Sequence, residues 1–244
     1  MRLLRSRQGQ DSLTRETWNE IAERLRRNKG DLGDLGGGNH FLDALISYDD
    51  GQLYFLIHTG SRSESGHVDD FVESPERFDA EFDRVVAWAA ENRAAVQKSI
   101  EATLGKLDLV LDLPHNNYEI LASGGVIIRK GSVRATPGSL NIIPSHMSGD
   151  VSLVEATDRV GEALFSLSHG TGRAMSRSEC KVLAEGFDFS SLRQEILIPD
   201  AVQDASLRTD GPFAYRNLDE CLELLDGYVQ ERARFRVVAY MGHL

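Results

Sequence analysis

The 244-residue sequence is short of cysteine, of long apolar runs and of positive charge. Its two cysteines, Cys180 and Cys221, are too few for a disulfide framework and stand in no metal-ligand spacing, so a reducing, cytoplasmic setting is expected. No apolar run reaches the length that crosses a bilayer, and the opening MRLLRSRQGQDSL carries no secretory apolar core. Membrane association is therefore not expected. A formal charge of −11 argues against a protein that holds nucleic acid by a generally basic surface. Three basic islands stand against that background: ERLRRNK (23–29), RKGSVR (129–134) and GRAMSR (172–177). Each alone reads first as a solvated face.

What remains is the composition of an ordinary globular chain, 41% hydrophobic and 27% charged, long enough to bury a sizeable core. Residues 12–28 predict an amphipathic helix on Leu13, Trp18, Ile21 and Leu25. GDLGDLGGGNH holds too many glycines for regular structure. The next stretch predicts a hairpin turning at Asp50-Gly51, with Tyr54, Leu56 and His58 on one face of its second strand. Residues 74–101 predict a long helix, with Ser74 as cap, Pro75 in the first turn and a buried stripe of Phe78, Phe82, Val85, Ala89, Val96 and Ile100. Short strands are expected in LDLVLDL, GGVIIRKGSVRA, SLNIIPS and ALFSLS, then a helix over 217–231 and a last strand RFRVVAY. These elements describe one α+β domain over residues 1–244, with mixed or antiparallel sheets flanked by helices.

Four of the seven histidines share one local setting. His40 (GGGNHF), His58 (FLIHTGSR), His115 (LPHNNYE) and His169 (SLSHGTGR) each border an apolar run and a polar or glycine-rich turn. Strand ends are where a scaffold presents reactive groups, although a single such histidine is more often structural. Imidazole is both a common ligand for borderline divalent metals and a nucleophile. Glycine-rich turns can offer backbone N–H groups to phosphate oxygens, and Arg62, Arg129 and Arg173 add fork-shaped donors that suit phosphate.

GNHFLD, HTGSR, HNNYE, RKGSVRA, IIPSHM and SHGTGRAMSR occur in the order found in the RtcB family of RNA-splicing ligases, which the chain resembles from Gly30 onward; WAAENRAAV and GPFAYRNLDE resemble further family segments. The resemblance implies an enzyme that joins RNA ends bearing a 2′,3′-cyclic phosphate or 3′-phosphate to 5′-hydroxyl ends, using GTP and manganese. It implies that His169 is the nucleophile that becomes guanylylated, with Gly170, Thr171 and Gly172 leaving room for the nucleotide. Metal ligands would be His40, His58 and His115. Guanylate contacts would come from Asn39, His40, Phe41, Leu42 and Asp43, from His115 and Asn116, and from Pro144, Ser145, His146, Met147 and Ser152. Tyr215 would stack on the base. Arg62, with Arg129 and Arg173, would contact RNA or phosphate.

Several positions depart from the family pattern. No segment matches its Asp-x-Gly-Cys-Gly motif, so a short form is expected, in which another chain or an activating protein supplies missing metal ligands. PSHMSGDVS introduces His146, Asp43 stands in place of a glutamate, and VAYMGHL lacks a terminal lysine. Two other readings fit the same residues: a metal- or nucleotide-binding remnant without turnover, and a metal-dependent phosphoesterase acting on cyclic phosphate ends.

Overall fold

The computed structural model describes residues 1–60, 74–242 and 244. Its frame is a seven-stranded sheet in the order β4-β1-β3-β2-β11-β9-β8. The strands are β1 (Arg2–Ser6), β2 (Phe41–Ser47), β3 (Leu53–His58), β4 (Leu107–Asp112), β8 (Leu140–Pro144), β9 (Asp150–Ala156) and β11 (Val229–Met241). Every described pairing is antiparallel. Two small ladders complete the set: β5 (Asn116–Ile120) with β6 (Val126–Lys130), and β7 (Ser132–Arg134) with β10 (Ser166–Ser168). The α+β class holds, with antiparallel rather than mixed sheets.

The period-2 alternation of the hairpin sorts its side chains between two cores. Leu53, Phe55 and Ile57 of β3, with Leu42, Ala44 and Ile46 of β2, pack under helices α1 (Arg15–Arg27) and α2 (Pro75–Leu104) through Trp18, Ile21, Leu25, Val96 and Ile100. Leu56 and Leu45 face the other way and pack with Leu3, Leu111, Ile142, Val151 and Phe235. Asp43 and His58 share that second face by the same alternation, which keeps them clear of the helices.

Local chemistry sets the boundaries. Helix α1 starts at a reciprocal cap between Thr14 and Thr17. Ser74 occupies the cap position of α2 but its side chain makes no capping bond. The stripe expected along α2 is fully buried only from its second half, at Val96 and Ile100, while Phe78, Phe82, Val85 and Ala89 remain half-buried.

Three expectations are corrected. ALFSLS is not a continuous strand: a 3-10 turn covers Asp158–Ala163, Leu164 and Phe165 adopt positive φ (53° and 52°), and β10 keeps three residues. The helix expected over 217–231 stops early, as α6 (Leu218–Leu224), because residues from Val229 join the centre of the sheet. Strands β1 and β9 had no counterpart in the sequence reading; Leu3 and Leu4 are both buried, one in each core, which hides the alternation. Three further helices, α3 (Arg177–Leu183), α4 (Phe189–Glu195) and α5 (Asp204–Leu207), build a separate apolar cluster around Leu192, Ile198 and Leu207.

Candidate active site: a histidine cluster beside a cavity

Strand register brings the histidines together. The β2–β3 ladder ends at the pair Phe41–His58, which places His40 and His58 at one end of the sheet. His115 lies between β4 and β5. The β7–β10 ladder ends at Ser132–Ser168, so the next residues outward, Gly131 and His169, face each other. The His58 and His115 Nε2 atoms are 3.3 Å apart. The rings of His115 and His169 stack at 4.6 Å with 4° between planes, and the His58 and His169 centroids are 5.6 Å apart. His40 sits against the same group, 5.7 Å from His58 between centroids.

Burial favours the neutral form of His58, His115 and His169. It pushes the His58 pKa well below 6.5, helped by the like charge that His115 would carry. It lowers His115 to about 3, helped by the amino group of Met1 and by His169. It also lowers His169, whose bond to Gly131 opposes the shift. Nδ1 of His169 points at the Gly131 carbonyl oxygen. That acceptor fixes the Nδ1–H tautomer and leaves Nε2 with an unshared pair, the form required of a nucleophile or a metal ligand. Asn116 Oδ1 accepts from the Gly131 N–H at 3.0 Å and so holds the residue that holds His169.

The donor set fits a divalent cation. His58, His115 and His169 each offer a nitrogen, all within 4.8 Å of one another. Two nitrogens on one ion at about 2.1 Å each span roughly 3.4 Å in a tetrahedral arrangement, close to the His58–His115 separation. The structure thus gathers His58 and His115 of the expected ligand trio, with His169 as the third nitrogen, and leaves His40 at the margin of that set.

A cavity of about 330 Å³ opens beside the cluster, at the lower end of the range for small-ligand sites. Asn39, Phe41, Asp43 and His58 form one wall. Pro144, Ser145, His146 and Met147 form a second, and His169, Gly170, Thr171, Gly172, Arg173 and Tyr215 a third. The Thr171 N–H donates to the Pro144 carbonyl at 3.0 Å and joins the last two walls. Three residues that line this space carry a buried polar atom without a hydrogen-bond partner: Asp43 Oδ1, His58 Nδ1 and Thr171 Oγ1. A buried polar atom without a partner costs about 1–3 kcal/mol. Burial also pushes the Asp43 carboxyl well above the ordinary aspartate range, so it is held as the neutral acid.

Not every expected residue reaches the cavity. Leu42 is wholly buried in the core beneath the helices. Ser152 is buried on β9 and donates to Glu231 Oε1 at 2.8 Å. His115 and Asn116 line a smaller cavity of about 80 Å³ on the α2 side. Arg62 lies outside the described residues. Arg129 is only 2% exposed, pairs with Glu119 at 3.0 Å and donates to Ser166, Asn117 and the Leu164 carbonyl, so it is a structural tie rather than a free phosphate contact. Arg173 lines the cavity, but its donors go to Met175, Asp210, Cys180 and Thr209.

The sequence reading passed over Arg177, Asp210 and Tyr240, which also line the cavity. Arg177 is exposed and has no ion-pair partner among the described residues. Asp210 accepts from Arg173 Nη1 at 2.8 Å and from the Tyr215 hydroxyl at 3.0 Å, which fixes the Tyr215 side chain at the cavity wall. Arg177 had a signal, the basic island GRAMSR; Asp210 had none, because the arginine it pairs with is 37 positions away.

Three neighbouring imidazoles that could hold a metal ion thus lie beside a cavity lined by a buried acid and a glycine-rich turn. The family model described as tRNA-splicing ligase RtcB matches residues 73–242. The RNA-splicing ligase RtcB2 of Escherichia coli (strain ATCC 25922) is 32% identical over 275 aligned positions, which cover 93% of this chain and 70% of that protein. The RNA-splicing ligase RtcB of Escherichia coli K12 is 26% identical, covering 77% of this chain and 55% of its own length. The tRNA-splicing ligase RtcB of Nanoarchaeum equitans is 27% identical, covering 88% and 60%. The chain belongs to the RtcB family, and it spans between about half and 70% of the length of these relatives.

Proposed function

We propose that this chain is a GTP- and Mn²⁺-dependent RNA ligase that joins 2′,3′-cyclic phosphate or 3′-phosphate ends to 5′-hydroxyl ends, with His169 as the guanylyl carrier. The observation that carries the reading is the tautomer of His169: Gly131 holds Nδ1, and the ring borders the nucleotide-sized cavity. A divalent cation held by His58 and His115 would polarise phosphate oxygens and offset their charge, with His169 Nε2 left off the ion for attack. His169 Nε2 attacks the α-phosphorus of GTP; a P–N bond forms and the P–O bond to pyrophosphate breaks. A 2′,3′-cyclic end must first be opened by water, which breaks the P–O2′ bond; a 3′-phosphate oxygen then attacks the guanylyl phosphorus, the P–N bond breaks, Nε2 is freed and an anhydride forms. A 5′-hydroxyl attacks that phosphorus, and GMP leaves.

The remaining walls supply recognition. As a neutral acid, Asp43 can donate to one carbonyl and accept from an adjacent N–H, a pattern that the O6 and N1–H edge of guanine presents. Tyr215, held by Asp210, offers a ring face to the base. Gly170 and Gly172 keep the turn after His169 low, and a Cβ at Gly170 would stand 3.2 Å from the Pro144 carbonyl oxygen. Arg177 is the cation placed to meet a phosphate at the cavity wall.

Incubation with α-labelled GTP and Mn²⁺ tests the reading. Acid-labile label that maps to His169, absent from His169→Ala, is the expected result. Cyclic-phosphate hydrolysis without label would replace the ligase with a phosphoesterase. Cation binding with neither activity would leave a binding module.

A further inference from the structure

The strand ladders end at or before the histidines, so the connections that carry them need other support. The β2–β3 pairing ends at Phe41–His58, so His40 and Thr59 lie beyond it, and residues 113–115 lie between strands. Two neighbouring side chains of α2 reach segments at or beside those connections. Asn92 is fully buried; its amide nitrogen donates to the Asp34 carbonyl at 3.0 Å and to Thr59 Oγ1 at 3.3 Å, and its amide oxygen accepts from the Gly33 N–H at 2.7 Å. Gly33 and Asp34 belong to the glycine-rich connection that leads to His40, and Thr59 directly follows His58. Arg93, 5% exposed, donates through Nε to Asp112 Oδ1 at 2.6 Å, at the end of the strand that leads to His115.

We propose that Asn92 and Arg93 are positioning residues that set the spacing of the histidine cluster from a single helix. The inference rests on the metal reading above. Successive residues on a helix point about 100° apart, so adjacent positions can serve two different segments. Asn92 joins the His40 connection to the His58 strand end, and Arg93 shares Asp112, at the entry to His115, with Arg2 of β1, while Met1 pairs with Leu113. The glycine-rich connection has no ladder of its own, so the Asn92 amide is what registers it against β3. An apolar residue of equal volume would fill the space under Gly33 and Asp34 but would leave their backbone groups without these partners.

The test uses Co²⁺ as a spectroscopic probe on the intact chain. The unaltered protein is expected to bind Co²⁺ with visible d–d bands, and His58→Ala is expected to lose them. Asn92→Ala, checked for fold by circular dichroism, is expected to bind 10- to 100-fold more weakly with shifted bands, the usual cost of losing a group that orients ligands. Arg93→Lys is expected to do the same through His115. Should Asn92→Ala fail to fold, Thr59→Val removes a single acceptor and is expected to weaken binding several-fold. Folded variants that melt earlier but keep the affinity and spectrum of the parent would overturn the proposal alone. A parent that binds no Co²⁺ would overturn the metal reading, and this proposal with it.

Discussion

Acid should unfold the metal-free protein through its histidines, and His115 gives the size of the effect. Burial, the Met1 amino group and His169 hold its pKa at about 3 in the folded chain, against 6.5 as the ordinary value. Between those limits the unfolded chain binds a proton that the folded chain refuses, so stability falls as pH falls. Each pH unit costs about 1.4 kcal/mol per histidine, and lowering the pH from 6.5 to 5 costs about 2 kcal/mol for His115 alone. In a chain of this size that lowers the melting temperature by roughly 4–8 °C. Thermal melts in chelator at several pH values, on the unaltered protein and on His115→Gln, read the slope directly. The glutamine takes up no proton, so its curve should lie flatter by that amount, whatever the offset at pH 7. His58, displaced in the same direction, leaves a residual slope in both proteins. Parallel curves would refute the reasoning.

Two further outcomes follow from the cavity. Asp43→Asn should raise the melting temperature at neutral pH, because it removes a carboxyl that burial keeps protonated while the unfolded chain ionises; the gain should vanish near pH 4, and GTP binding should weaken. A variant no more stable at pH 7 than at pH 4, relative to the parent, would exclude that protonation state. Gly131→Ala should abolish labelling of His169 in a folded protein. Gly131 has φ of 68°, which strains a residue with a side chain, and a Cβ there would stand 3.1 Å from His169 Cε1, so the ring must shift against the carbonyl that fixes its tautomer. Retained labelling would show that the tautomer is set elsewhere.

The site was more legible in the sequence than the frame around it. Each histidine stood between an apolar run and a turn, and the hairpin alternation put His58 on one face with Tyr54 and Leu56; the register with β2 added Asp43 to that face. What the sequence hid was set by distant contacts. Arg129 and Arg173 looked like free phosphate donors until Glu119 and Asp210 occupied them. Leu164 and Phe165 have strand-like composition, yet they turn through left-handed conformations because the chain must re-enter at Ser166 opposite Arg134. The order of ring distances, which made His169 rather than His40 the near neighbour of His58 and His115, depends on where two separate ladders end.

β11 lies in the middle of the sheet, between β2 and β9. Beside it, the Trp18 indole donates to the Tyr240 carbonyl across 222 residues of sequence. Such remote pairings close slowly, since the loop entropy is lost before any contact rewards it. Until β11 docks, β2 and β9 present bare, sticky edges, and a nascent chain must wait with half a barrier to self-association missing. Folding of this protein should therefore be slow and dependent on dilution or chaperones.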